Sequence, residues 1–230
     1  MGGVEQTYTV PLALFDFVPV ALSVIGCWLL ARLSARAVPS VGSIALLGVV
    51  LIGAGGVAKA LWKVLLTATD RDIAVLQQSL FPLLATGFVL VAWALWSGLV
   101  GRPVPWWPAA LALALGIVAA LAKHAMSPLL IVAASAALIT SGLAIRWAVR
   151  DKVPAAVVLF VIGMASSIVL AYLAGPKIEQ TLSLQWVEEI TNTVGQGAFL
   201  LASLLLWRGS PHAGTSVIRA ADPADSAVDA

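Results

Sequence analysis

Three carboxyl groups, Asp16, Glu188 and Glu189, and three ammonium groups, Lys59, Lys63 and Lys123, fall inside stretches otherwise built from Ala, Leu, Val, Ile and Gly. In apolar surroundings such groups pair with one another and fix helix packing, hold a polar solute, or work as general acid or base beside a lysine electrophile. Glu188 and Asn192 are i,i+4, Glu189 and Asn192 are i,i+3, and Asn192 and Gln196 are i,i+4, so on a helix they form one polar stripe. Lys59 and Lys63 are also i,i+4 and share a face with Gly55 and Gly56, while Trp62 and Trp186 flank the two clusters. The ligand-binding set expected from this pattern is Asp16, Lys59, Lys63, Trp62, Trp186, Glu188, Glu189, Asn192 and Gln196. No catalytic residue is assigned, and neither a metal nor a cofactor is expected.

The elements that carry these residues are set by composition. Of 230 residues, 61% are hydrophobic and 10% charged, against roughly one quarter charged in soluble domains. Seven apolar stretches, Pro11 to Leu33, Val41 to Leu65, Leu80 to Val100, Trp106 to Met126, Pro128 to Ala148, Val153 to Ala174 and Ser183 to Trp207, match the roughly 20 residues a helix needs to cross a bilayer. They are too long and too continuously apolar for barrel strands, which alternate over about ten residues. The fold class expected is an all-α, polytopic seven-helix transmembrane bundle in residues 1–208, followed by a disordered cytoplasmic tail, 209–230, poor in apolar surface. The ten residues before the first span hold Glu5 and no Lys or Arg, so that span is expected to be retained and not cleaved as a signal peptide. The lone cysteine, Cys27, lies inside it as a structural filler.

Orientation follows from the basic residues of the short connections. Arg32, Arg36, Arg102, Arg146, Arg150, Lys152 and Arg208 gather at one set of ends, with Arg71 and Lys177 in loops at the other, which predicts the N-terminus outside and the C-terminus in the cytoplasm. Most tryptophans, Trp147 among them, read as interfacial anchors. In this frame Asp16 lies roughly 7 Å inside the outer end and Glu189 roughly 9 Å; Lys59 lies at a similar depth. A charge at such depth costs about 2.5 to 3.5 kcal/mol on insertion scales. A cavity opening outward and lined by the first, second, fourth and seventh spans is therefore expected, with the charges partnered across it.

The longest connection, Thr67 to Ser79, is expected to hold a short interfacial helix capped by Asp70 or Asp72. The glycines of Gly53–Gly56 and Gly195–Gly197 mark close helix packing or, alternatively, unwound segments that meet a ligand. Pro19 and Pro82 are expected to kink their helices. "GFVLVAWALW" from Gly87 is similar to "AFLLASLLLW" from Ala198, and "LIGAGG" from Leu51 to "VIGMAS" from Val161, an offset that suggests a parallel three-plus-one-plus-three repeat. That layout resembles SWEET-type sugar transporters and microbial rhodopsins in architecture alone. The Pro-Gln signature of the first is absent, and the seventh span has no lysine for a retinal Schiff base, so neither family is assigned.

The function expected is binding or transport of a small polar or amphipathic solute in the outer half of a cell membrane of the bacterial plasma type. The alternatives are a sensor or scaffold subunit whose charges only hold the helices, and an intramembrane lipid-head-group hydrolase using Glu188 or Glu189 with Lys59, or a metal on His124, Asp16 and a glutamate. Membrane lipids, a small-molecule ligand and a membrane protein are the partners expected; no basic surface supports nucleic acid.

Overall fold

The computed structural model describes residues 9–69, 71–173 and 181–210. These form eight α-helices and one short 3-10 turn, with no strand among the described residues: α1 (Val10–Phe15), α2 (Phe17–Ala37), α3 (Gly42–Thr69), α4 (Ala74–Val100), α5 (Trp107–Lys123), α6 (Ser127–Arg150), α7 (Pro154–Leu173) and α8 (Leu182–Gly209). The first span is α1 and α2 together, so the chain is an all-α polytopic membrane bundle. Six spans are long and apolar enough to cross a membrane by length and composition; α5, at 17 residues, is shorter. The expected tail beyond Ser210 and most of the connection carrying Lys177 lie outside the described residues.

The direction of α5 follows from its neighbours. Near the start of both helices, Ala85 of α4 packs with Leu129 and Ala133 of α6. Near their ends, the Trp147 ring of α6 sits where a Cβ on Gly98 of α4 would fall, 2.7 Å away, and Arg150 donates to the Leu99 carbonyl at 3.3 Å. Helices α4 and α6 are therefore parallel, and α5 must run back across the bundle between them. Its 17 residues cover about 25 Å.

Local sequence sets the ends. Gly101 takes the left-handed conformation (φ 77°) that closes α4. Pro108 and Pro128 enter α5 and α6 in the first turn, where a missing N–H costs nothing. Thr181 caps α8 by accepting from the Leu184 N–H at 3.2 Å. One expectation is corrected here: no separate interfacial helix precedes the third span. Ala74 starts α4 itself, with Ile73 and not an aspartate at the cap, because nothing between Ala74 and Pro82 breaks a helix.

The spans lack a water-driven force between them, so small residues decide where they touch. A Cβ on Gly48 would lie 2.8 Å from the Gly87 carbonyl oxygen, which fixes the α3–α4 crossing; Gly163 lies against Gly195 where α7 crosses α8. The sequence register would match Gly163 to Gly53 and not to Gly48, so the two crossings differ by about a turn. Toward the Arg150 end the interior is filled by Cys27, Leu30, Leu95, Trp147, Phe160 and Leu206, all buried. Trp147 is therefore a core residue, 2% exposed, and not the interfacial anchor its residue type suggests.

Candidate functional site

Pro19 of α2 has no N–H to give the Phe15 carbonyl four residues back, and its ring crowds that turn. The helix breaks one residue later, at Asp16, leaving α1 as a six-residue stub and the aspartate at the joint. There Asp16 is 6% exposed. Its Oδ2 lies 2.5 Å from Lys63 Nζ of α3, and the same ammonium lies 3.3 Å from Glu189 Oε1 of α8. Two carboxylates thus share one lysine that is itself 5% exposed. Asp16 Oδ1 and Glu189 Oε2 are buried without a hydrogen-bond donor.

Beside this triad lies a cavity of about 230 Å³ lined by Asp16, Lys59, Glu189, Asn192 and Gln196 on its polar side. Lys59, one turn from Lys63, is exposed within the cleft and makes no hydrogen bond or ion pair with the described residues. The Asn192 and Gln196 amides likewise have no protein partner among the described residues. Pro19, Val20, Ser23 and Gly56 line it from α2 and α3, and Leu80, Leu84 and Phe88, at i,i+4 spacing, supply a wall from α4.

A second chamber of about 430 Å³ adjoins the first, sharing Ser23, Leu84, Phe88 and Gln196 with it. Its walls are almost entirely apolar, with Phe81 from α4, Ala133, Ala137 and Leu138 from α6, Met164 and Ile168 from α7, and Phe199 from α8. Nothing in the sequence pattern singled out these residues, because every span is apolar on every face.

Several expected site residues stand elsewhere. Glu188 does not line the cavity: it precedes Glu189 by one residue, about 100° around the helix, and its Oε1 is buried without a donor. Trp62 is buried and donates from Nε1 to Asp72 at 2.9 Å, tying α3 to the chain entering α4, and Trp186 packs against Phe15 with the ring centroids 5.9 Å apart and the planes tilted by 50°. Neither tryptophan lines the cavity. The fourth span is absent from it as well: Lys123 ends α5 on a separate groove between α4, α5 and α6, and the third span takes the expected place. No three of His, Cys, Asp and Glu come together among the described residues, and His124 closes α5 in the left-handed conformation (φ 47°). The arrangement of His124 with Asp16 and a glutamate is therefore not formed. Helices α3 and α8 run unbroken through their glycines, which overturns the unwound alternative; a Cβ on Gly56 would meet Val20 at 2.8 Å, and one on Gly195 would meet Ser166 at 2.7 Å.

Comparison of the chain with protein-family models, curated proteins and solved structures finds no match. The site is read from its own chemistry. It offers an accessible ammonium, two carboxamides, a hydroxyl and two under-donated carboxylates at the mouth of an apolar chamber.

Proposed function

We propose that this chain binds or transports a small polar or amphipathic solute through the charged pocket in the outer half of a plasma membrane, with its N-terminus outside and its C-terminus in the cytoplasm. The observation that carries this reading is Lys59. A charge network that served only to pack helices would neutralise every member, since an unpaired charge at this depth is costly. Instead the Asp16–Lys63–Glu189 triad is closed on one ammonium while Lys59 lines the cavity without an ion pair or hydrogen bond to the described residues.

A second reading, a sensor or scaffold subunit, draws support from the opposite half of the bundle. Beyond the chambers, Leu30, Leu95, Phe160 and Leu206 pack into one buried apolar cluster, so occupancy of the pocket would be felt by the helices before any solute crossed. The experiment that tests the pocket is native mass spectrometry of the detergent-purified protein beside Glu189→Gln. A small molecule or lipid retained by the parent and lost by the variant is expected. A bare polypeptide mass in both, with the variant only less stable, would reduce the triad to a packing device.

A further inference from the structure

The pocket carries charge of both signs, and this bears on which solute it takes. From α3, Lys59 is an ammonium on the cavity wall that makes no ion pair with the described residues, although Asp16, Glu189 and Glu188 attract it from farther off. From α2 and α8, Asp16 and Glu189 divide a single lysine, and each keeps one buried oxygen without a donor; Asp16 itself is more than nine-tenths buried. A purely anionic solute would satisfy Lys59 and add a negative charge beside two carboxylates. A purely cationic one would satisfy the carboxylates and leave Lys59 facing another cation. Only a solute bearing both an acid group and an ammonium matches both sides.

The apolar chamber adds the second half of the specification. It adjoins the charged one at Ser23, Leu84, Phe88 and Gln196, which line both, so a solute seated by its charges and passing these residues would lay whatever follows against Phe81, Ala137 and Met164. Together the two chambers have the shape of a polar head joined to an apolar tail. Resting on the binding function above, we infer that the ligand is a zwitterionic amphiphile: its acid group on Lys59, its ammonium on the carboxylates of Asp16 and Glu189, and its tail in the apolar chamber. A zwitterionic single-chain phospholipid and a free amino acid with an apolar side chain share this chemistry.

The test is native mass spectrometry of the full chain from non-ionic detergent, with five added probes compared at equal concentration. These are a lysophosphatidylethanolamine, a lysophosphatidic acid of the same chain length, a long-chain alkylamine, leucine and glycine. The expected result is at least tenfold tighter binding of the zwitterionic lipid than of either amphiphile with charge of one sign, or of leucine than of glycine. The first outcome assigns the ligand to the bilayer and the second to free amphiphilic amino acids. In Lys59→Met, which breaks no ion pair among the described residues, the preference should move toward the alkylamine; in Asp16→Asn it should move toward the lysophosphatidic acid. Ala137→Phe should weaken the lipid or leucine, whichever the parent prefers, tenfold and leave glycine unchanged. An amphiphile with charge of one sign binding as tightly as the zwitterion, with no change of preference in Lys59→Met, would overturn this inference and leave the pocket standing. Failure of every probe to bind the parent protein would overturn both.

Discussion

The two ends of this bundle each bury a carboxylate beside a cation, and they are completed differently. Near the end of α6, Asp151 accepts from Trp147 Nε1 at 3.1 Å, from Ser210 Oγ at 2.5 Å and from Arg150 Nε at 3.0 Å. Arg150 reaches on to the Leu99 carbonyl, so α4, α6 and the end of α8 meet at one aspartate whose side chain is 8% exposed. At the other end, Asp16 and Glu189 are held by one ammonium, and each has an oxygen left over. Burial is similar in the two places, and what differs is whether the acceptors are saturated. A saturated cluster has nothing to offer a solute and acts as a clasp, whereas an under-donated cluster against a cavity is the kind that a solute completes.

The comparison is sharpened by breaking each end in turn. The largest effect is expected from Trp147→Ala, which removes both the ring packed on Gly98 and a donor to Asp151. Large-to-small core changes of this kind cost about 3 to 5 kcal/mol, read as thermal denaturation in detergent. Molecules that stay folded should keep the parent's bound adduct; loss of the adduct at unchanged stability would reverse the roles of the two ends.

Next comes Lys63→Met, which strands two carboxylates and should destabilise by roughly 3 kcal/mol or more, as breaking a buried ion pair does. Here the triple variant Asp16→Asn, Lys63→Met, Glu189→Gln separates a clasp from a site. Removing all the charges together should restore most of the lost stability while the adduct stays absent. Stability as poor in the triple variant as in Lys63→Met would mean that the triad is a clasp as well.

Smallest in stability is Lys59→Met. With no ion pair or hydrogen bond to the described residues to lose, it should leave unfolding within about 0.5 kcal/mol of the parent, even though its effect on the bound adduct is large. A marked loss of stability would reveal a pairing for Lys59 and weaken its assignment to a solute.

The fold was readable because bilayer thickness imposes a length on each apolar run, and the observed helices end within a few residues of the sequence boundaries except at Ala74. The charges were readable at the Asp16 end because an ion at depth stands out against alanine and leucine. What could not be read was helix rotation and neighbour choice. Glu188 and Glu189 are adjacent in sequence and turn to different surroundings; Lys123 has the right depth on a helix that packs elsewhere. Trp147 was misread because a tryptophan near a span end looks the same whether it faces lipid or Gly98, and Asp151 drew no notice because it stands at a turn where aspartates are common. The walls made by Leu84 and Phe88 had no signal at all, since their chemistry matches that of the lipid-facing positions.

The triad also dictates an order of events during manufacture of the chain. Asp16 and Lys63 leave the ribosome in the first two spans and are able to meet as a hairpin, whereas Glu189 follows Lys63 by 126 residues. At about 5 to 20 residues per second that gap is roughly 6 to 25 seconds. For that interval the newborn hairpin already holds one neutral pair in the bilayer, and the last helix arrives carrying a carboxylate whose place is waiting for it.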